Sequence, residues 1–398
     1  NGTAAANFTQ TLTNTTTTPQ VVTYTVTPTS GDTGNCVGSP FTVTITVNPT
    51  PVINAKELLI CSGDTFNFTL TDGLNGDRIP TGTKYTWTVV SNPNITGAVN
   101  QTVPQNSIAI SQALINTGTT PAVVTYQVTP TSASGCSGAS FNLVVTVKPP
   151  IVINGEPHSY NGFGISCFGA NDGKIELNPT GGKLPSDPAG YTYSWTGPNG
   201  FVSTLPNLEN LKAGTYEVFI TVSGTTCVVQ KTFVLTEPAA LTITNQVKVD
   251  NVCFQGNTGS ITVTASGGTA PYRYAWTGPN GFSSANQNLA GLVTGTYQVM
   301  VNDANGCMLT GVPQTIAEPA PLSLTAQAQS ETCADAGDGR IELILSGGLP
   351  PYQVRWDHGG TDRIATALGP GTYRVTVTDQ GGCIQTAEYS LLPIPALR

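Results

Sequence analysis

Few side chains in this sequence could do chemistry, and the cysteines come first. Nine of them stand at positions 36, 61, 136, 167, 227, 253, 307, 333 and 383, evenly scattered and with no Cys-x-x-Cys pair. With only two histidines alongside, a zinc ligand set is missing. Scattered cysteines in a Thr-rich chain point to disulfides formed in an oxidising compartment. A nucleophile needs a histidine or a perturbed carboxylate beside Ser or Cys. His158 and His358 each fall in a loop and neither recurs in a sister segment, so both read as solvated loop residues. No catalytic residue is expected, and the chain does not read as an enzyme. Oxygen chemistry is left to Asp172, Asp303, Asp338 and Asp379, which lie in turns where calcium could be held. Ordinary Asp turn chemistry explains them more simply, so no metal and no other cofactor is expected.

The elements that must position these residues come in repeats, which decide the fold. "CFGANDGKIELNPTGG" from Cys167, "CFQGNTGSITVTASGG" from Cys253 and "CADAGDGRIELILSGG" from Cys333 align. Each is followed by a tryptophan, then by "GTYEVFITV", "GTYQVMVND" or "GTYRVTVTD", then by another cysteine. Prolines in "TEP" at 236–238 and "AEP" at 317–319 mark the seams between them. A second family aligns "VVTYTVTPTS" from Val21 with "VVTYQVTPTS" from Val123, each leading to a cysteine and a closing strand. Only the second copy has an opening half, "ICSGDTFNFTL" from Ile60. The chain is therefore expected to start in the middle of a module and to be a piece of something longer. The boundaries read are 1–50 for a partial module, then 51–150, 151–238, 239–319, and 320–398 with a terminal stub.

Local structure follows from period. Tyr216, Val218, Ile220 and Val222 alternate with other residues, as do Tyr297, Val299 and Val301, and Tyr373, Val375 and Val377; a period of two puts one face of a strand inward. Helical spacing is sustained nowhere. Short strands broken by frequent turns predict an all-β chain, a tandem array of immunoglobulin-like β-sandwich domains. The heptapeptide "WTGPNGF" at 195–201 and 276–282 becomes legible in that frame. Trp87, Trp195, Trp276 and Trp356 are predicted to fill the cores between sheets, and Pro-Asn-Gly to turn a hairpin. Tyr216, Tyr297 and Tyr373 are candidates to close a corner through their hydroxyls.

Across residues 151–393 the pattern Cys-x-Gly, Asp-Gly-x-Ile, Gly-Gly, Trp, Gly-Thr-Tyr-x-Val, Gly-Cys and Glu-Pro resembles the SprB-type repeat of bacterial gliding-motility adhesins. Residues 1–150 resemble the PKD-like modules that accompany such repeats. The resemblance implies immunoglobulin-like sandwiches in a very long protein exported by type IX secretion, on the outer-membrane exterior of a Gram-negative bacterium. It supplies no catalytic residues. Two departures stand out: the second repeat has "NTG" from Asn257 where the others have Asp-Gly, and the third has lost "GPNG".

Two disulfide schemes remain open. Pairing inside each module joins Cys61 to Cys136, Cys167 to Cys227, Cys253 to Cys307 and Cys333 to Cys383, leaving Cys36 over. In an immunoglobulin-like topology, however, the first turn and the last hairpin lie at opposite ends of strands about 23 Å long, whereas a bridge spans at most about 7 Å between α-carbons. Reach favours pairing between consecutive modules: Cys61 with Cys227, Cys167 with Cys307 and Cys253 with Cys383. Cys36, Cys136 and Cys333 would then bond to modules elsewhere.

Charged residues make up 10% of the chain and the net charge is -8, so there is no basic stripe for nucleic acid or anionic lipid. No apolar run is long enough for a membrane span. The expected partners are neighbouring repeats of the same chain and, outside it, an extracellular surface or polysaccharide. The function expected is that of a stalk in a long, disulfide-stapled adhesin or filament, extending and transmitting force in adhesion or gliding. The alternative is a set of polysaccharide-binding sandwich modules in a secreted multidomain protein.

Overall fold

The computed structural model describes residues 9–30, 34, 36–106, 110–188 and 190–395. The outer edges expected for the first and last modules, at residues 1 and 398, lie outside that set. The described chain is all β apart from three short 3-10 turns. Its contacts divide it into two compact units: 1–156 with 175–208 and 215–233, and 157–174 with 209–214 and 234–398.

In the first unit, strands Gln20–Val26 and Phe41–Val47 pair antiparallel from Gln20 opposite Val47 to Val26 opposite Phe41. A five-stranded sheet follows, in the order Lys56–Ile60, Phe141–Val147, Ala122–Thr131, Lys84–Val90, Gln101–Gln105. Its first pair is parallel and the rest are antiparallel. The alternation in "AVVTYQVTPT" puts Val124, Tyr126 and Val128 on the inner face, where they are fully buried with Leu143 and Val145. Phe66, Ile110 and Leu114 close the core from the two-stranded ladder of Thr65–Phe68 with Ile110–Ala113 and the residues around it. Each such side chain contributes about 1.5–3 kcal/mol by leaving water. The same unit holds Tyr191–Thr196, which pairs antiparallel with Gly214–Val222, whose Val218, Ile220 and Val222 are fully buried.

The second unit contains two sandwiches built alike. Thr242–Val249, Gly259–Ser266 and Leu289–Leu292 form one sheet, while Arg273–Thr277 and Gly295–Asn302 are central in the other. Ser323–Gln329, Gly339–Ser346 and Ile364–Leu368 then face Gln353–Trp356, Gly371–Thr378 and Ile384–Leu391. Ile261, Val299 and Val301 make one core, and Ile341, Val375 and Val377 the other.

One register recurs throughout. Trp87 lies opposite Val128, Trp195 opposite Val218, Trp276 opposite Val299 and Trp356 opposite Val375. All four indoles are buried, and each Nε1 donates to a backbone carbonyl: Val99, Leu205, Asn286 and Asp362, at 2.9–3.0 Å. The repeated heptapeptide is a core residue followed by a turn, since Asn199 and Asn280 take positive φ and the next strand pairs back onto the tryptophan strand.

The structure changes the reading of two motifs. The Asp-Gly pairs are expected in turns, and Thr258-Gly259 takes their place in the second repeat; a Cβ on Gly259 would lie 2.7 Å from Ile316 Cγ2. On Gly339 it would lie 2.8 Å from Leu391 Cδ1 and 2.5 Å from the Leu368 carbonyl oxygen. These glycines make room for a core rather than bend the chain. His358 sits in a hairpin tip as read, but its ring stands edge-on to Tyr373 at 5.7 Å. That is the place Phe282 holds against Tyr297 at 5.2 Å. The third repeat lost the phenylalanine with its turn and put a different ring on the tyrosine.

Candidate functional site at the cysteine turns

Two kinds of turn carry the cysteines. In the first, the cysteine opens a tight turn whose carbonyl accepts the N–H three residues on: Asp64 to Cys61 at 3.2 Å, Ala170 to Cys167 at 3.0 Å, Gly256 to Cys253 at 3.1 Å and Ala336 to Cys333 at 3.2 Å. The third residue of each is left-handed: Gly63, Gly169, Gln255 and Asp335. In the second kind, the cysteine ends a hairpin turn. Asp303 N–H donates to the Cys307 carbonyl and Cys307 N–H to Asp303 Oδ1, at 3.0 and 2.8 Å. Asp379 and Cys383 repeat this at 3.0 and 2.9 Å. Ser132 and Cys136 repeat it again, with the serine hydroxyl as acceptor at 3.1 Å.

Each disulfide joins a turn of the first kind to a hairpin turn, of the second kind at Cys307 and Cys383 and one residue longer at Cys227, whose carbonyl accepts Val222 N–H at 3.1 Å. Cys61 bonds Cys227 with α-carbons 5.4 Å apart, Cys167 bonds Cys307 at 5.8 Å, and Cys253 bonds Cys383 at 5.7 Å. These distances lie within the range a bridge allows. The structure thus brings together cysteines from segments read as consecutive modules, and the pairs inside single modules are not formed. Cys36, Cys136 and Cys333 carry free thiols; Cys36 and Cys333 are exposed and Cys136 is half-buried.

Around the Cys167–Cys307 and Cys253–Cys383 bridges the contact is fitted differently. Asn305 Nδ2 donates to the Ser166 carbonyl at 3.0 Å, beside the Cys167–Cys307 bond. At the equivalent place before Cys383 stands Gly381, where a Cβ would come within 2.6 Å of the Val252 carbonyl oxygen. One junction is bonded through an amide and the other closes by backbone approach.

Read alone, the seam sequences mark only boundaries, and the structure gives their glutamates work at these turns. Glu237 Oε2 accepts the N–H of Gly169 and Glu318 Oε2 that of Gln255, each at 2.6 Å. Both donors are the left-handed residues of cysteine turns, so each carboxylate holds in place the point where the chain reverses. Their recurrence in "TEP" and "AEP" was the available signal. Leu392 stands at the matching position of the third repeat.

The four candidate calcium aspartates are bonded separately. Asp303 Oδ2 accepts Thr269 N–H and Asp379 Oδ2 accepts Leu349 N–H, both at 2.8 Å, tying each hairpin turn to a Gly-Gly turn. Asp172 Oδ1 accepts Ser166 N–H at 3.1 Å. Asp338 accepts the Thr332 hydroxyl and N–H, which hold its carboxyl below the usual carboxylate range. Among the described residues no three His, Cys, Asp or Glu side chains are grouped as a metal site. At the corners, Tyr297 and Tyr373 hydroxyls donate to the carbonyls of Val293 and Gly369, at 3.0 and 2.9 Å.

The geometry defines a class: immunoglobulin-like β-sandwiches in tandem, cross-linked through paired cysteine turns. The family models make this particular. The PKD-like domain matches residues 1–51 and 58–150, and the SprB repeat matches 165–200, 245–281 and 325–361. The chain belongs with the proteins that carry PKD-like domains followed by SprB repeats. No curated protein matches the sequence. Among solved structures, three N-terminal domains of the bacteriophage RB49 highly immunogenic outer capsid protein match at 13% identity and a TM-score of 0.31, covering 67% of this chain and 96% of that one. The ectodomain of mouse nectin-like molecule 4 matches at 11% and 0.26, covering 66% and 98%. A tetra-tandem repeat from the extending region of a large adhesion protein matches at 14% and 0.23, covering 85% and 99%. The family matches, not these distant chain paths, make the assignment. They are repeat and adhesion modules rather than enzyme families.

Proposed function

We propose that this chain is a load-bearing stretch of a cell-surface adhesin, a stalk whose modules are fastened covalently to one another. One observation carries the reading: every disulfide joins segments read as neighbouring modules, across 130–166 residues of sequence. A bridge serving only the stability of a small domain would close within it. Closing a long loop contributes typically 2–4 kcal/mol against unfolding, and here it also limits how far the modules can separate under tension. The buried tryptophans and tyrosines support the same reading, since they fill cores rather than face a ligand. In a gliding bacterium such a stalk, exported to the outside of the outer membrane, would pass traction between the moving cell surface and the substratum. Stretching single molecules by their ends tests the proposal. Oxidised protein should stop lengthening far short of the reduced chain; equal final lengths would reject it.

A further inference from the structure

The bridges Cys167–Cys307 and Cys253–Cys383 close at equivalent places. Cys307 Sγ lies 3.4 Å from the Ser166 carbonyl oxygen and Cys383 Sγ 3.2 Å from that of Val252. What differs is the residue two before the hairpin cysteine. Asn305 Nδ2 lies 3.0–3.4 Å from the carbonyl oxygens of Ser166 and Tyr160 and the hydroxyl of Thr269, while Asn161 Nδ2 donates to its Oδ1. Tyr160 and Asn161 are delivered by a small hairpin, bonded Tyr160 to Phe163 in both directions. In the second repeat the strand Thr242–Val249 runs on almost to Cys253 instead. There Gly381 faces the turn: a Cβ on it would lie 2.6 Å from the Val252 carbonyl oxygen and 3.3 Å from Leu349 Cδ1. Leu349 holds the place of Thr269, each donating its N–H to the hairpin aspartate. Neither Asn305 nor Gly381 is left-handed, so surroundings rather than backbone conformation choose between the two residues.

We propose that this residue, with its partner after the Gly-Gly pair, decides which hairpin a cysteine turn accepts: Asn305 with Thr269 matches the turn at Cys167, and Gly381 with Leu349 the turn at Cys253. Asparagine on the third repeat's hairpin would put its Cβ against the Val252 carbonyl, and the hairpin would have to stand off, carrying Cys383 away from Cys253. Glycine on the second repeat's hairpin would take from the Ser166 and Tyr160 carbonyls and the Asn161 amide the group they meet. The same side chain therefore helps one bridge and hinders the other. A clash on one side and lost polar partners on the other are how similar surfaces are told apart. In a chain of nine cysteines, such matching fixes the order in which repeats can be fastened. The matching is independent of the stalk reading, which needs only that the bridges form.

The test uses the whole chain with Cys36→Ser, Cys136→Ser and Cys333→Ser, so that only the bridged cysteines report. Reduced dithiothreitol opens a bridge, taking both cysteines to thiols while it closes to its own cyclic disulfide. The ratio of reduced to oxidised dithiothreitol that half-opens each bridge is read by alkylation and peptide mass spectrometry. Asn305→Gly should lower that ratio about tenfold, the worth of one or two hydrogen bonds, for Cys167–Cys307 alone. Gly381→Asn should lower it at least as much for Cys253–Cys383 alone, and Gly381→Ala, which adds the crowding Cβ and nothing else, should shift the same bridge. Adding Asn161→Ala to Asn305→Gly should change little further, because the two amides act as one contact. A shift below about threefold at the named bridge would overturn the proposal, as would independent effects of Asn161 and Asn305. So would all three bridges weakening together, the mark of a variant that fails to fold.

Discussion

The three bridges interleave, and this sets a limit on stretching that can be worked out from the pairing alone. Tension applied at the two ends follows the shortest covalent route from Cys61 to Cys383. It crosses to Cys227, runs 26 positions to Cys253 and crosses again to Cys383. At about 3.5 Å per residue that run reaches roughly 90 Å, whereas the reduced chain from Cys61 to Cys383 reaches roughly 1,100 Å. The Cys167–Cys307 bridge lies off the route. Replacing both of its cysteines by serine should therefore leave the final length unchanged. Replacing Cys253 and Cys383 instead sends the route back from Cys227 to Cys167, across to Cys307 and on to residue 383. That is about 136 positions, a gain of roughly 380 Å. Magnetic tweezers holding the ends above the unfolding force would read these lengths directly. If removal of the middle bridge lengthened the molecule as much as removal of the last one, the interleaved pairing would be refuted.

Other predictions concern the modules themselves. Gly259→Ala should cost about 1–3 kcal/mol, because its methyl meets Ile316 and the Leu292 carbonyl; calorimetry finding no loss in Tm would contradict the close packing there. Burial, and secondarily the charge of Asp77, push the Tyr85 phenol up from 10.0 to about 12. A raised phenol stabilises the fold fully below its free value and loses that contribution as pH climbs through the folded one. Tm should thus fall between pH 10 and 12, and Tyr85→Phe should flatten that fall. Saturating calcium and chelator should give the same Tm, since the four turn aspartates are engaged by N–H and hydroxyl donors of the chain; a rise with calcium would reveal ligands this bonding does not account for.

What the sequence made legible was local. Alternation placed Val218, Ile220 and Val222 inward, and Pro-Asn-Gly announced its own hairpin, because period and turn chemistry act between near neighbours. Contacts made from afar were harder to read. Glu237 and Glu318 visibly recur, but the N–H groups they hold lie 68 and 63 residues earlier. The crowding at Gly259 comes from Ile316 of a distant strand. His358 escaped because it reaches the corner tyrosine two positions after its tryptophan, whereas Phe282 stands six after. The parallel pairing of Lys56–Ile60 with Phe141–Val147 left no mark in either strand's own pattern. Reach alone favoured one cysteine pairing, since strand length and bridge span are both fixed quantities.

The Cys167–Cys307 bond, idle under traction, has a different consequence outside a cell. A protease cutting once between residues 61 and 383 always cuts inside at least one closed covalent ring. For a cut between Cys227 and Cys253, where the "TEP" seam lies, the only bridge spanning the break is this one. A nicked molecule would keep both halves, so shedding would take a second wound or a reductant.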